Sequence, residues 1–223
     1  MNISGDSPWV SFDGAAWENI VRGAPVRFYR KHQCVYAPGR AEGLYLVQEG
    51  RVRVELYSGA GECKSLYIAE PGCLFGELAL LGGHTEACGA TAAARSAVCC
   101  VPRERVLLEM ESSAAFCRAL LTLLARKGSL LCAQIGQLCF DPSVQRVCAA
   151  LAHLARRHGT PEGPGYRLDV KFTHPEMGEL VGLSRVSVSG IMGELIASGA
   201  LVKQEGYIII PDIALLERRA KGQ

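Results

Sequence analysis

The sequence has no run of about 18 apolar residues, so no membrane-spanning helix and no membrane partner are expected. Its first twenty positions carry Asp6, Asp13 and Glu18, where a secretory signal would have a basic start and an apolar core. A cytoplasmic setting is expected. An excess of one charge is lacking as well. The 24 Lys and Arg against 22 Asp and Glu leave a formal net charge of +2, too little for the whole molecule to bind polyanions. Any nucleic-acid contact must come from a local surface. Cysteine is plentiful, at 10 residues, yet no Cys-x-x-Cys spacing occurs. With 49% hydrophobic residues available for cores, the thiols are read as reduced and mostly as small core hydrophobes. There is no Gly-x-x-x-x-Gly-Lys phosphate loop and no cysteine with a local His or Asn signature, which argues against an enzyme.

The length of 223 residues suits two small domains with separate cores. From about Pro25 to Pro102 the chain is made of short β-type runs such as Leu44-Tyr45-Leu46-Val47, Val52-Arg53-Val54-Glu55-Leu56-Tyr57 and Ala97-Val98-Cys99-Cys100-Val101. Turn signals at Pro38-Gly39, Glu49-Gly50, Pro71-Gly72 and Gly82-Gly83 separate them, predicting a compact antiparallel barrel or roll. After Arg103 the pattern turns helical. Ser112 or Ser113 can cap a helix reaching about Cys139, roughly 40 Å long. Along it Cys117, Leu121, Leu124, Gly128, Leu131, Ile135 and Leu138 recur at alternating steps of four and three, the seam of a two-helix coiled coil and hence of a homodimer. Leu120, Leu123 and Leu130 form a second strip suited to packing on the β domain. A helix buried inside one monomer is the alternative. Asp141-Pro142 opens a further helix, Asp as N-cap and Pro at the first position, with Val144, Val147, Leu151 and Leu154 as its buried stripe. Thr160 to Gly165 reads as a loop. The fold class expected is α+β, divided into a sensing domain (1–103), a dimerisation helix and hinge (104–140) and a third part (141–223).

That third part carries the motif. Thr173-His174-Pro175-Glu176 is a capping box opening a short helix that stops at Gly182, and a second helix opens at Ser184 and runs to about Ser198. Two helices across so tight a turn make a helix-turn-helix. Val188, Ile191, Met192 and Leu195 share one face of the second helix and anchor it. The opposite face carries Val186, Ser189, Gly190 and Gly193, where a solvated helix would show Lys and Glu. Interior glycines cost about 1 kcal/mol each relative to alanine, so small residues there suggest close approach to another surface, and a major groove fits. Arg185 stands at the entering turn, suited to a guanine edge or a phosphate, and Thr173 suits a phosphate. Leu201-Val202-Lys203 and Tyr207-Ile208-Ile209-Ile210, joined through Gln204-Glu205-Gly206, read as a β-hairpin wing. Ser187 and the wing's Lys203 complete the candidate DNA-binding set. On patterning alone, winged motifs also serve as protein–protein modules.

The order of roll, long helix and winged motif, with Gly43-Leu44-Tyr45-Leu46-Val47-Gln48-Glu49-Gly50, Pro71-Gly72-Cys73-Leu74-Phe75-Gly76-Glu77-Leu78 and Met177-Gly178-Glu179-Leu180-Val181-Gly182-Leu183-Ser184-Arg185, resembles the catabolite activator and fumarate-nitrate regulator (Crp/Fnr) family. The resemblance implies a cyclic-nucleotide-binding-like jelly roll, a homodimer on palindromic operator DNA, control by a small-molecule effector, and RNA polymerase as a partner. Two departures bear on that effector. Relatives that bind cyclic AMP place an Arg after the Gly-Glu-Leu segment to neutralise the phosphate, and here the stretch is Glu86-Ala87-Cys88-Gly89. They also place Thr-Ser on the long helix against the adenine, and those places are assigned here to Leu131 and Cys132. Cyclic AMP is therefore not expected, and Gly76, Glu77, Leu78, Ala87, Cys88, Leu131 and Cys132 are the candidate lining of a reshaped effector pocket. Haem is an open alternative, with Cys73 or Cys88 and His84 as axial ligands, although a His in a glycine-rich loop is more commonly a solvated turn residue. A thiol-based redox sensor, and a ligand-sensing protein whose DNA-binding motif has decayed, are the other readings kept open. The reading helix also departs, with Arg185-Val186-Ser187-Val188-Ser189-Gly190 where cyclic-AMP-dependent relatives carry Arg-Glu-Thr-Val-Gly-Arg. Val186 packs on a thymine methyl, which predicts a half-site richer in A·T.

Overall fold

The computed structural model describes residues 8–82, 87–169, 172–204 and 207–223. The chain divides into two compact units, Met1–Cys132 and Ala133–Gln223. Among the described residues no single helix is long and apolar enough to cross a membrane.

The first unit begins with β1 (Trp9–Val10), a 3-10 turn at Gly14–Trp17 and α1 (Glu18–Val21). Strands β2 (Val26–Tyr29), β3 (Cys34–Tyr36), β4 (Gly43–Glu49), β5 (Val52–Tyr57), β6 (Cys63–Ala69) and β7 (Leu74–Phe75) follow. The short α2 (Glu77–Leu81) then leads to β8 (Cys88–Ala92) and β9 (Ser96–Pro102). They form a five-stranded sheet in the order β1-β6-β5-β8-β3 and a four-stranded sheet in the order β2-β9-β4-β7. Alternation sets the faces: in β6, Ser65, Tyr67 and Ala69 are buried and their neighbours are not. The pairings are antiparallel apart from β1 on β6, which is parallel with Trp9 opposite Ile68. Trp17, Leu44, Tyr45, Tyr67, Leu74 and Phe75 are the large side chains of one buried core.

Two helices leave the roll. The first is α3 (Arg103–Ser112), where the sequence pattern had shown only a general helical character. Ser113 takes an extended conformation, φ −129° and ψ 98°, and breaks the path. Its hydroxyl accepts from the Phe116 N–H at 3.2 Å and so opens α4 (Ala114–Phe140). The strip of α4 carrying Phe116, Leu120, Leu123 and Leu130 joins the roll core, as the 3.6-residue period requires of those positions. The Phe116 ring meets Trp17 edge-on at 5.7 Å. The seam residues lie away from that strip: Leu121, Gly128, Ile135 and Leu138 are exposed, and Cys117, Leu124 and Leu131 half-buried.

The second unit contains α5 (Ser143–His158), β10 (Gly159–Glu162), β11 (Gly165–Leu168), α6 (His174–Val181), α7 (Arg185–Ala197), β12 (Val202–Gln204), β13 (Tyr207–Ile210) and α8 (Ile213–Ala220). Its sheet runs β10-β11-β13-β12, all antiparallel. Three expectations are corrected. Pro142 is the N-cap of α5, with no side-chain cap bond, so Asp141 does not cap it. Val144 is 37% exposed, while Val147, Leu151 and Leu154 are buried as expected, with Cys148 and Ala155 beside them. Thr160 to Gly165 is no loop but the end of a hairpin, Glu162 opposite Gly165. The expected wing pairs Lys203 with Ile208, and its turn residues Glu205 and Gly206 lie outside the described residues.

Candidate functional site

The helix-turn-helix is built by local bonds. The Thr173 N–H donates to Glu176 Oε2 at 2.7 Å and the Glu176 N–H to Thr173 Oγ1 at 3.3 Å, the reciprocal box expected. Accepting there, the Thr173 hydroxyl keeps its hydrogen for another partner. Gly182 closes α6 at φ +67°, and α6 and α7 are bent by 103° across the break. Gly178 allows the turn to close. Leu183 N–H donates to its carbonyl at 3.0 Å, and a Cβ at Gly178 would stand 2.4 Å from Leu183 O.

The Ser184 hydroxyl then accepts from the Ser187 N–H at 3.0 Å and lies 2.9 Å from the Ser187 hydroxyl. Ser187 is thus engaged in the cap. Val188, Met192 and Leu195 hold α7 in the core, with Ile191 half-buried. On the outer face Arg185, Val186, Ser189, Gly190 and Gly193 are exposed, Val186 to 80%. Among the described residues Arg185 has no hydrogen-bond or ion-pair partner, unlike Arg167, which is tied to Asp169 at 3.1 Å. A Cβ at Gly190 or at Gly193 would meet no atom of the described residues within 4 Å. Packing among the described residues therefore does not require glycine at either place. Lys203 is exposed on β12 and shares a cleft of about 430 Å³ with Ser189, Gly193, His174 and Tyr207. His174 and Tyr207 carried no signal as surface-lining residues, since one read as part of a cap and the other as a strand.

The roll interior is shaped differently from its expected lining. Gly76 enters α2 at φ +93°, where a Cβ would stand 2.8 Å from Gly43 O and 2.9 Å from the Tyr45 ring. Tyr36, Tyr45 and Phe75 stack on one another at 5.1 to 6.2 Å between centroids. They leave a void of about 10 Å³, into which Gly76, Glu77, Leu78 and Cys88 face together with Tyr36 and Tyr67. Ala87 lies outside it, in a shallow outer hollow beside Cys34 and Tyr57. Leu131 packs against the edge of the core and Cys132 is exposed, so neither lines the void.

The helix residue that does reach Glu77 is Lys127. It falls four after Leu123 and three before Leu130, on the roll-facing strip rather than on its neighbouring face. Lys127 Nζ donates to Glu77 Oε1 at 2.8 Å and to Leu74 O at 2.7 Å, and it sits 4.7 Å from the centre of the Tyr67 ring. Cys73 is fully buried, its thiol donating to Leu74 O at 3.3 Å. Burial pushes that thiol up to about 12, and burial with the nearby Glu77 raises Cys88. Both shifts favour the protonated thiol over the thiolate. His84 lies outside the described residues.

A roll of this topology joined through a long helix to a winged helix-turn-helix defines a class, the two-part DNA-binding transcription regulators. The family model described as the cyclic nucleotide-binding domain matches residues 26–113, and the Crp-like helix-turn-helix domain model matches residues 145–219. The chain belongs to the Crp/Fnr family. It is 28% identical over 198 residues to the CRP-like cAMP-activated global transcriptional regulator of Mycobacterium tuberculosis, covering 88% of each chain. With the cyclic AMP receptor protein of Thermus thermophilus it shares 29% identity over 197 residues, again 88% of each. A solved Crp/Fnr-family regulator from the same organism superposes with a TM-score of 0.68 at 27% identity, covering 88% of this chain and 98% of that one.

Proposed function

We propose that the chain is a homodimeric, sequence-specific regulator whose two copies of α7 enter successive major grooves of a palindromic operator, half-sites about 34 Å apart. The observation that carries this reading is the outer face of α7. Arg185 is exposed without a partner among the described residues, and Gly190 and Gly193 have open space where a side chain would stand. Among the described residues no packing reason for that loss of helix stability is found, and we assign the reason to what the face approaches. Arg185 is assigned to a guanine edge or a phosphate, Val186 to a thymine methyl, and Ser189 and Gly190 to close contact with base edges. Thr173 and Lys203 flank that face and hold phosphates. The exposed seam of α4 supports pairing with a second copy.

Control from the roll does not run through cyclic AMP. Ala87 offers no cation for the phosphate, and the void of about 10 Å³ compares with roughly 300 Å³ or more for an ordinary ligand pocket. Selection of bound duplexes from a random pool should yield a palindrome with A·T-rich half-sites. On that duplex the logarithm of affinity should fall linearly with the logarithm of salt, and Arg185→Ala should cost about 1 to 3 kcal/mol. An unchanged gel-shift affinity for the variant would remove Arg185 from the interface. Recovery of the ordinary cyclic-AMP-regulator half-site would remove the role of Val186.

A further inference from the structure

The cleft of about 430 Å³ between α7 and the wing has the size of an ordinary small-molecule site, roughly 300 to 1,000 Å³. Its floor is apolar: Leu168 of β11 and Met192 of α7 are each 3% exposed, and Phe172, Ile196 and Ile208 extend the lining. Tyr207 adds a second ring, with the Arg167 guanidinium, itself bound to Asp169, 5.5 Å from its centre. The α7 wall is bare at Gly193, where a Cβ would meet no atom of the described residues within 4 Å. Charge around the cleft is of one sign. Lys203 stands exposed at the rim beside Ser189 and half-buried His174, and among the described residues no Asp or Glu lines the cleft. Neither Lys203 nor the His174 ring has a hydrogen-bond or ion-pair partner among those residues. An apolar floor gives a phosphate no donor, so the backbone of a duplex can use the rim but not fill the cleft.

We propose that this cleft binds a small aromatic carboxylate, its ring on Leu168, Phe172 and Met192 beside Gly193 and its carboxylate on Lys203, and that such a ligand competes with the operator for α7. The second clause rests on the operator-binding reading above. Burial of a ring against a preformed apolar floor supplies the affinity, and a single cation at the edge selects an anion and orients it. The ligand then occupies Lys203 and the Ser189–Gly193 side of α7, the same groups that the duplex needs, so one copy of α7 cannot hold both. A ligand bound only by the DNA-free form shifts the population toward that form by its differential affinity. Control of this kind acts on the reading surface itself and asks nothing of the closely filled roll.

Titration of the full chain with cinnamate and with naphthoate, followed by NMR, tests the site without DNA. Saturable shifts should appear at residues 168, 192–196, 203 and 207–208, with a dissociation constant below about 1 mM. The uncharged cinnamamide should bind at least about threefold more weakly than cinnamate, and Lys203→Met should erase that difference. Gly193→Leu fills the cleft from a helix position where leucine is favoured over glycine, and it should weaken naphthoate at least about tenfold with cooperative unfolding retained. No saturable shift at these residues, shifts confined to the seam of α4, equal affinity for acid and amide, or wild-type affinity in Gly193→Leu each overturns the site. Should Gly193→Leu not fold, Ile196→Asp, which sets a carboxylate at an exposed lining position, must show the same weakening, and wild-type affinity in it overturns the site equally. Saturating naphthoate should then weaken operator affinity about tenfold or more in gel shifts, and an unmoved affinity overturns the competition. A wild-type chain that binds no duplex refutes the operator reading instead, while the titration still decides whether the cleft takes the acid.

Discussion

Gly178 and Gly190 are both helical residues of the second unit, and an added methyl group has opposite consequences at the two. At Gly178 it would stand 2.4 Å from a backbone oxygen of the turn, which cannot swing aside. Gly178→Ala should destabilise the chain by about 2 kcal/mol or more and lower the thermal midpoint. At Gly190 no atom of the described residues lies within 4 Å, so Gly190→Ala should raise the midpoint, the helix gaining up to about 1 kcal/mol. The same variant should bind the operator more weakly, because the methyl occupies the space through which the backbone nears the bases. A protein both more stable and equally tight on DNA would sink that explanation of the glycine. Cys73 gives a second residue-scale test. Its thiol, raised to about 12, is protonated and sealed at neutral pH, so a thiol reagent should label exposed Cys34, Cys132 and Cys139 rapidly and Cys73 only on unfolding. Rapid labelling of Cys73 in folded protein would contradict its burial. The face around Arg185 was legible in the sequence because caps, glycines and spacing act locally. Lys127 was not, because a lysine in a helix is ordinarily solvated, and only the roll-facing strip, closed by residues some fifty positions away, shows where it points.

Helix α4 shows what an element must do when both its faces are apolar. One face fills the roll through Phe116, Leu120 and Leu123, and the other leaves Leu121 64% and Ile135 60% exposed in a single chain. Leu121→Glu places a charge in the seam and should weaken self-association at least about tenfold. Sedimentation velocity would then show one chain mass of 23.9 kDa where the wild type shows twice that. A wild type that is already monomeric at micromolar concentration would remove the dimer. The strands of the roll and the helices α4, α6 and α7 announce themselves by period and by their end residues. The hairpin of β10 and β11 does not, since Pro161, Gly163 and Pro164 speak for a loop. Its place explains the discrepancy: β10 is the edge of its sheet, where a proline costs no ladder bond on the outer side. The short α2 is held by its packing on β4, which no local pattern reports.

At the scale of the whole molecule, a net charge of +2 gives little long-range steering, so affinity must come from presenting two small faces at once. Each α7 offers one arginine and a few small residues, too few contacts to hold a single half-site tightly against salt. Two copies on one duplex turn the second engagement into an intramolecular event, and the gain exists only while the half-sites lie on the same side of the helix. Inserting about five base pairs at the centre of the selected palindrome rotates one half-site by half a turn. Binding should then fall to the level of an isolated half-site, about tenfold or more, and the complex should show a steeper loss with salt than the variant duplex retains. If gel shifts give the same affinity with and without the insertion, each chain reads DNA by itself, and the exposed seam of α4 must be covered by something other than a second copy on the same operator.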